Sequence, residues 1–146
     1  MAAARDLYEQ DFLEWTARNA ELLRAGQFHE ADIEHIAEEI EDMGLSQRHQ
    51  LRSRLRVLLV HLLKWQFQPE RLSSSWISTI NTQRAEIEDL LEQAPSLRPA
   101  LESALPKVYR RAAGLAAIET GLSPGAFPEA CPFALDRLLD TAFFPE

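Results

Sequence analysis

The chain has 146 residues, 46% of them hydrophobic and 26% charged, an ordinary globular composition that excludes collagen-like and wholly disordered classes. Its single cysteine, Cys131, excludes an internal disulfide framework. Fifteen basic residues against 23 acidic ones give a formal net charge of −8, which argues against a dedicated nucleic-acid binder and against a protein of anionic membrane surfaces.

Taken in chain order, the opening MAAARDLYEQD places Arg5 and Asp6 before any apolar run, unlike a secretory signal. Tyr8, Phe12, Trp15, Leu22 and Leu23 then recur at helical steps, which predicts a first amphipathic helix ending near Gly26. Ile33, Ile36, Ala37, Ile40 and Met43 form a second stripe behind Asp32, a residue type suited to an N-cap. After Gly44, a third stripe of Leu51, Leu55, Leu58, Leu59, Leu62 and Trp65 runs to Pro69 and the serine turn at Ser73 to Ser75. Since one glycine costs only about 1 kcal/mol inside a helix, two separate helices and one long or kinked rod are both compatible with Gly44.

A fourth helix is expected from about Ser75 to Pro95, with Ile77, Ile80, Ile87 and Leu91 on its apolar face. A fifth restarts at Ser96 and runs to Thr120, with a break or kink expected at Pro106, which lacks the N–H a helix interior requires. The stretch from Gly121 to Pro132, with three prolines and two glycines, reads as a loop. Pro132 suits the start of a short last helix through Asp140, and Phe143 and Phe144 anchor the tail. No run alternates with the period of a strand. The fold expected is therefore all-α: one domain over residues 1–146, a bundle of five to six helices. The longest apolar run, Val57 to Val60, is far too short to span a bilayer, so a soluble cytoplasmic protein is expected, which a lone reduced cysteine fits.

The charge is unevenly placed. Residues 1–44 hold 12 acids and 3 bases, residues 45–84 hold 1 and 7, and residues 85–146 hold 10 and 5. An acidic second helix (Glu34, Glu38, Glu39, Glu41, Asp42) thus precedes a basic third one, where Arg48, Arg52 and Arg56 recur every four residues along one flank. Such a stripe either receives an acidic partner or a phosphate, or it is answered by the chain's own glutamates, through a fold-back at Gly44 or across a dimer.

Three polar residues interrupt apolar stripes: Asn19 between Trp15 and Leu22, Arg84 between Ile80 and Ile87, and Glu119 after Val108, Ala112 and Leu115. A charge buried alone is costly, so Arg84 and Glu119 are expected to pair, with Asn19 able to satisfy leftover donors. A polar pocket built from Glu38, Glu39, His61 and Lys64 is the other candidate. The four histidines form no zinc spacing and no Glu-x-x-His pair, so no metal, cofactor or catalytic set is assigned. Cys131 precedes the expected last helix, whose dipole would lower its thiol pKa, but no base accompanies it.

The segments YEQDFLEW (8–15), LLRAGQF (22–28), EEIEDMG (38–44), HLLKWQFQP (61–69), SSWISTI (74–80), PSL (95–97), ETGL (119–122) and FPEACPF (127–133) resemble, in order, the bacterial family known as domain of unknown function 29. That resemblance implies a small, all-helical, cytoplasmic protein and carries no established activity, cofactor or catalytic residue. The function expected is a helical binding or interaction module, with a protein partner or a second copy and without nucleic acid or membrane; the alternative is a small enzyme or ligand carrier with a polar pocket in the bundle.

Overall fold

A computed structural model describes residues 3–146, and every regular element among them is helical. The α-helices are α1 (Ala4–Gln10), α2 (Phe12–Arg24), α3 (Ile33–Phe67), α4 (Ser74–Gln93), α5 (Leu97–Thr120) and α6 (Leu135–Leu139), with 3-10 turns at Pro69–Arg71 and Pro124–Ala126. The chain groups into two compact units, Met1–Ser46 and Gln47–Glu146.

In the first unit the predicted opening helix is divided at Asp11. This residue is extended (φ −155°, ψ 92°), and its carboxylate accepts the Glu14 N–H at 3.1 Å, capping α2. Periodicity alone missed the break because Asp11 lies off the apolar stripe. α2 stops where expected: Gly26 adopts a left-handed φ of 73° while the Gln27 N–H returns to the Leu22 carbonyl at 2.9 Å. Ala4, Leu7, Trp15 and Leu22 are buried, together with Asn19 and Asp32.

Helix α3 is 35 residues long and passes through Gly44 without interruption. The hairpin that would turn the acidic second stripe back onto the basic third one is therefore absent. Ile33, Ile40 and Met43, expected on a core face, are instead 51%, 58% and 63% exposed.

The second unit holds the larger core. Leu55, Leu58, Leu59, Leu62 and Leu63 of α3 are completely buried, against Ile80 and Ile87 of α4, Leu101, Tyr109, Ala112 and Ala116 of α5, and Leu138 of α6. Each such leucine or isoleucine contributes about 1.5–3 kcal/mol of burial free energy. Small alanines in α5 allow its close packing into the cluster. The break expected at Pro106 does not occur. Pro106 and Glu102, whose carbonyl loses its helical donor, both lie on the exposed side, where water can satisfy that carbonyl. α5 ends at Gly121 in the left-handed region (φ 74°), as expected of a glycine C-cap.

The long loop after α5 is pinned to the core. The Tyr109 hydroxyl donates to the Pro128 carbonyl at 2.6 Å, Gln68 Nε2 donates to the Thr120 carbonyl at 3.1 Å, and Phe127 packs edge-on against Phe67. α6 starts at Leu135 rather than Pro132, so Cys131 is not at its N-terminus. Burial pushes the Cys131 thiol pKa up, opposite to the dipole expectation, and outweighs the lowering effect of hydrogen bonding to the Phe133 backbone. Phe144 stacks on Trp65 at 4.6 Å between ring centres, the anchor expected of the tail.

Candidate functional site: a basic cleft between two helices

Arg52 and Arg56 project from α3 one helical turn apart, with His49 and Ser53 on the same stripe, because spacings of 3, 4 and 7 residues share a helix face. Lys107 and Arg111 repeat the pattern on α5, beside Ala100, Ser103, Ala104 and Val108. These two stripes line a cleft of about 520 Å³ with no carboxylate in its wall. Its volume lies in the range of ligand-sized pockets, about 300–1,000 Å³. Alanines and Val108 make a narrow apolar floor, and the cations form the walls.

None of these four cations takes part in an ion pair or side-chain hydrogen bond among the described residues. The contrast within the same unit is clear. Arg54, on another face of α3, reaches Glu86 at 3.8 Å and Gln83 at 3.4 Å of α4, and Arg98 of α5 reaches Asp136 at 2.6 Å. Like charges four residues apart cost a helix about 0.2–0.5 kcal/mol per pair. The cleft contains two such pairs and no internal compensation, so the electrostatics favour an anionic group from outside. Two serine hydroxyls and the His49 ring add neutral hydrogen-bonding capacity.

Residues 7–144 match the family described as Domain of unknown function DUF29. The chain belongs to the DUF29 family. No curated protein and no solved structure matches it.

Several of the residues singled out in this DUF29 chain by sequence are engaged elsewhere, and others are exposed. Of the basic stripe, Arg52 and Arg56 line the cleft, whereas Arg48 is exposed and outside its wall. The expected Arg84–Glu119 pair is not made. Arg84 is 1% exposed, and its Nε donates to the Leu138 carbonyl at 2.7 Å, while its guanidinium carbon sits 5.4 Å from the centre of the Phe144 ring. Its two terminal nitrogens are buried without a protein partner. Burial pulls the Arg84 pKa down, and the Asp140 carboxylate opposes that shift. Glu119 is exposed: its stripe position lies where α5 turns its flank to solvent. Asn19 is buried, but its partners are local. Its Nδ2 donates to the Trp15 carbonyl at 2.8 Å and its Oδ1 accepts the Asp32 N–H at 2.8 Å, which locks the turn into α3.

Three residues of the expected polar pocket have other partners, and the fourth is exposed. Glu39 accepts the Tyr8 hydroxyl, Glu38 is exposed, His61 Nδ1 contacts the Val57 carbonyl at 2.8 Å one turn back, and Lys64 lies 5.0 Å over the Trp76 ring. The first unit contains a carboxylate–imidazole contact that sequence reading did not anticipate. Asp32 meets His35 Nδ1 at 2.6 Å and accepts the Trp15 indole N–H at 3.0 Å, while the His35 ring stacks on Tyr8 at 3.8 Å. Desolvation pushes the Asp32 pKa up, but the hydrogen bonds from His35 and Trp15 outweigh it and hold the carboxyl below its ordinary value. Tyr8 is pushed up to about 12, first by donating to Glu39, then by burial and the repulsion of Glu39, Glu38 and Asp42. The bonds of Asp32 Oδ2 to Trp15 and His35 and of its backbone N–H to Asn19 make this network a clamp for the α2–α3 turn, while Asp32 Oδ1 is buried without a partner. Among the described residues no group of three or more His, Cys, Asp or Glu side chains could hold a metal ion.

The cleft was half legible in the sequence. The four-residue recurrence of Arg52 and Arg56 marked one wall. Lys107 and Arg111 carried the same recurrence after Pro106, but nothing in the pattern of the fifth helix placed it beside the arginines of α3.

Proposed function

We propose that this DUF29 chain is a binding module whose basic cleft between α3 and α5 holds the carboxylates of an acidic protein partner. The observation that carries this reading is the convergence of Arg52, Arg56, Lys107 and Arg111 on one cleft with no internal counter-charge. The apolar floor suits a peptide or helix surface, which offers side chains for burial as well as charge. Nucleic acid is the less favoured occupant because residues 1–46 carry 12 acids and 3 bases and would repel a long polyanion. A cytoplasmic setting accords with a single unpaired cysteine.

Fluorescence anisotropy with a labelled polyglutamate peptide tests the proposal. The native chain is expected to bind at low salt and to release the peptide as salt rises. Arg56→Gln/Arg111→Gln should weaken binding about tenfold, since each exposed pair contributes up to about 1 kcal/mol and tenfold corresponds to about 1.4 kcal/mol. Equal binding by this variant, or tighter binding of a labelled oligonucleotide than of the peptide, refutes the reading.

A further inference from the structure

The first half of α3 presents a surface with the complementary character. Ile33, Ala37, Ile40 and Gly44, spaced 4, 3 and 4 residues apart, form one exposed ridge, and Met43 borders it. An apolar ridge of this spacing ordinarily faces a core or a partner helix. Exposed Glu34 and Glu41 flank it on one side; Glu34 has only a solvent-exposed contact with Arg5 at 3.4 Å. Glu39, on the opposite side of the helix, is the one already used by Tyr8.

The ridge and the cleft agree in four respects. Ridge residues 33–44 and the α5 wall from Ala100 to Arg111 each span eleven helical steps, about 16 Å at 1.5 Å per residue. The ridge is apolar at its crest and acidic on its flank, whereas the cleft is apolar on its floor and basic on its walls. The small side chains of Ala100 and Ala104 leave room for isoleucines to approach the floor. The unit bearing the ridge has a net charge of −9, and the unit bearing the cleft has +1.

We infer that the acidic partner is a second copy of this chain, whose Ile33–Gly44 ridge seats in the basic cleft. This rests on the binding-module reading above and names the occupant of the same site. Carboxylates of Glu34 and Glu41 meet the Arg52, Arg56, Lys107 and Arg111 cations, and Ile33 and Ile40 cover Ala100, Ala104 and Val108. Charge sets the pairing and burial of the exposed isoleucines drives it.

Sedimentation velocity on the full chain, over micromolar to hundreds of micromolar concentrations, tests this. Self-association is expected, weakened about tenfold when salt rises from about 50 mM to about 500 mM. R52E/R56E should sediment as a monomer, and so should E34K/E41K; K107E/R111E serves in place of R52E/R56E if circular dichroism shows that variant to be unfolded. Mixed together, R52E/R56E and E34K/E41K should associate again, because the unchanged ridge of the first meets the unchanged cleft of the second. A purely structural role for these charges predicts no such rescue. A native chain that stays monomeric, or that associates equally well with either reversal, overturns the inference. If it stays monomeric while the polyglutamate peptide still binds the cleft, the binding-module reading stands and the self-partner falls. If the peptide also fails to bind, both fall.

Discussion

Replacing Arg84 by methionine keeps an unbranched side chain of similar length in the core while removing the buried charge. The native guanidinium makes one hydrogen bond, to the Leu138 carbonyl, and leaves two buried nitrogens without protein partners. A charged hydrogen bond contributes about 1.5–3 kcal/mol, and each buried unsatisfied donor costs about 1–3 kcal/mol. Losing the contact with the Phe144 ring subtracts about 0.5–2 kcal/mol more. The gains and losses are of the same size, so Arg84→Met is expected to be neutral or to stabilise the second unit by about 1–2 kcal/mol, as buried charges replaced by apolar groups often do. Arg84→Ala instead opens a cavity beside Ile80 and Ile87 and should cost about 2–5 kcal/mol. Urea unfolding followed by tryptophan fluorescence reads both, with Trp65 and Trp76 reporting on this unit. A loss of more than about 2 kcal/mol in Arg84→Met refutes the reasoning, because the guanidinium would then be fully satisfied in solution.

Alkaline difference spectroscopy should find Tyr8 un-ionised until about pH 12, and Glu39→Gln should bring it toward the ordinary value of about 10. Because the folded value is raised, the stability it contributes is present below about pH 10 and is lost as pH climbs through the folded value; an unchanged titration in Glu39→Gln would refute the assigned cause. Asp32 has the opposite sign. Its folded pKa is depressed, so its contribution is present above the ordinary carboxyl value of about 3.9 and disappears as pH falls through the lower folded value. Asp32→Asn should remove that part of the acid transition seen by Trp15 fluorescence, and an identical acid midpoint in the variant would contradict the role given to the carboxylate.

Helix identity was legible wherever apolar periodicity coincided with burial, as in the leucine stripe of α3 and the isoleucines of α4. It misled where an apolar stripe remains in solvent: Ile33, Ile40 and Met43 have the pattern of a core face, and pattern cannot distinguish a core from an interaction surface. Of the break or kink expected at Pro106, the break does not occur. Pro106 weakens a helix by a local penalty, but burial of Leu101, Val108, Tyr109 and Ala112 on either side is larger and carries α5 through it. Of the polar residues inside stripes, Asn19 and Arg84 were correctly expected to be buried. Their partners were not foreseeable, since both bond to backbone atoms, and any residue type supplies those.

Gly44 stands inside an unbroken α3, two residues before the division between the compact units. A methyl group there would meet no atom within 4 Å and its φ is not left-handed, so neither space nor backbone geometry demands a glycine. What glycine does is lower helix stability by about 1 kcal/mol at this one point. The helix therefore has a built-in fuse: when the acidic unit loosens, unwinding that travels along α3 meets its least costly stopping place at Gly44, before the leucines that hold the second core together.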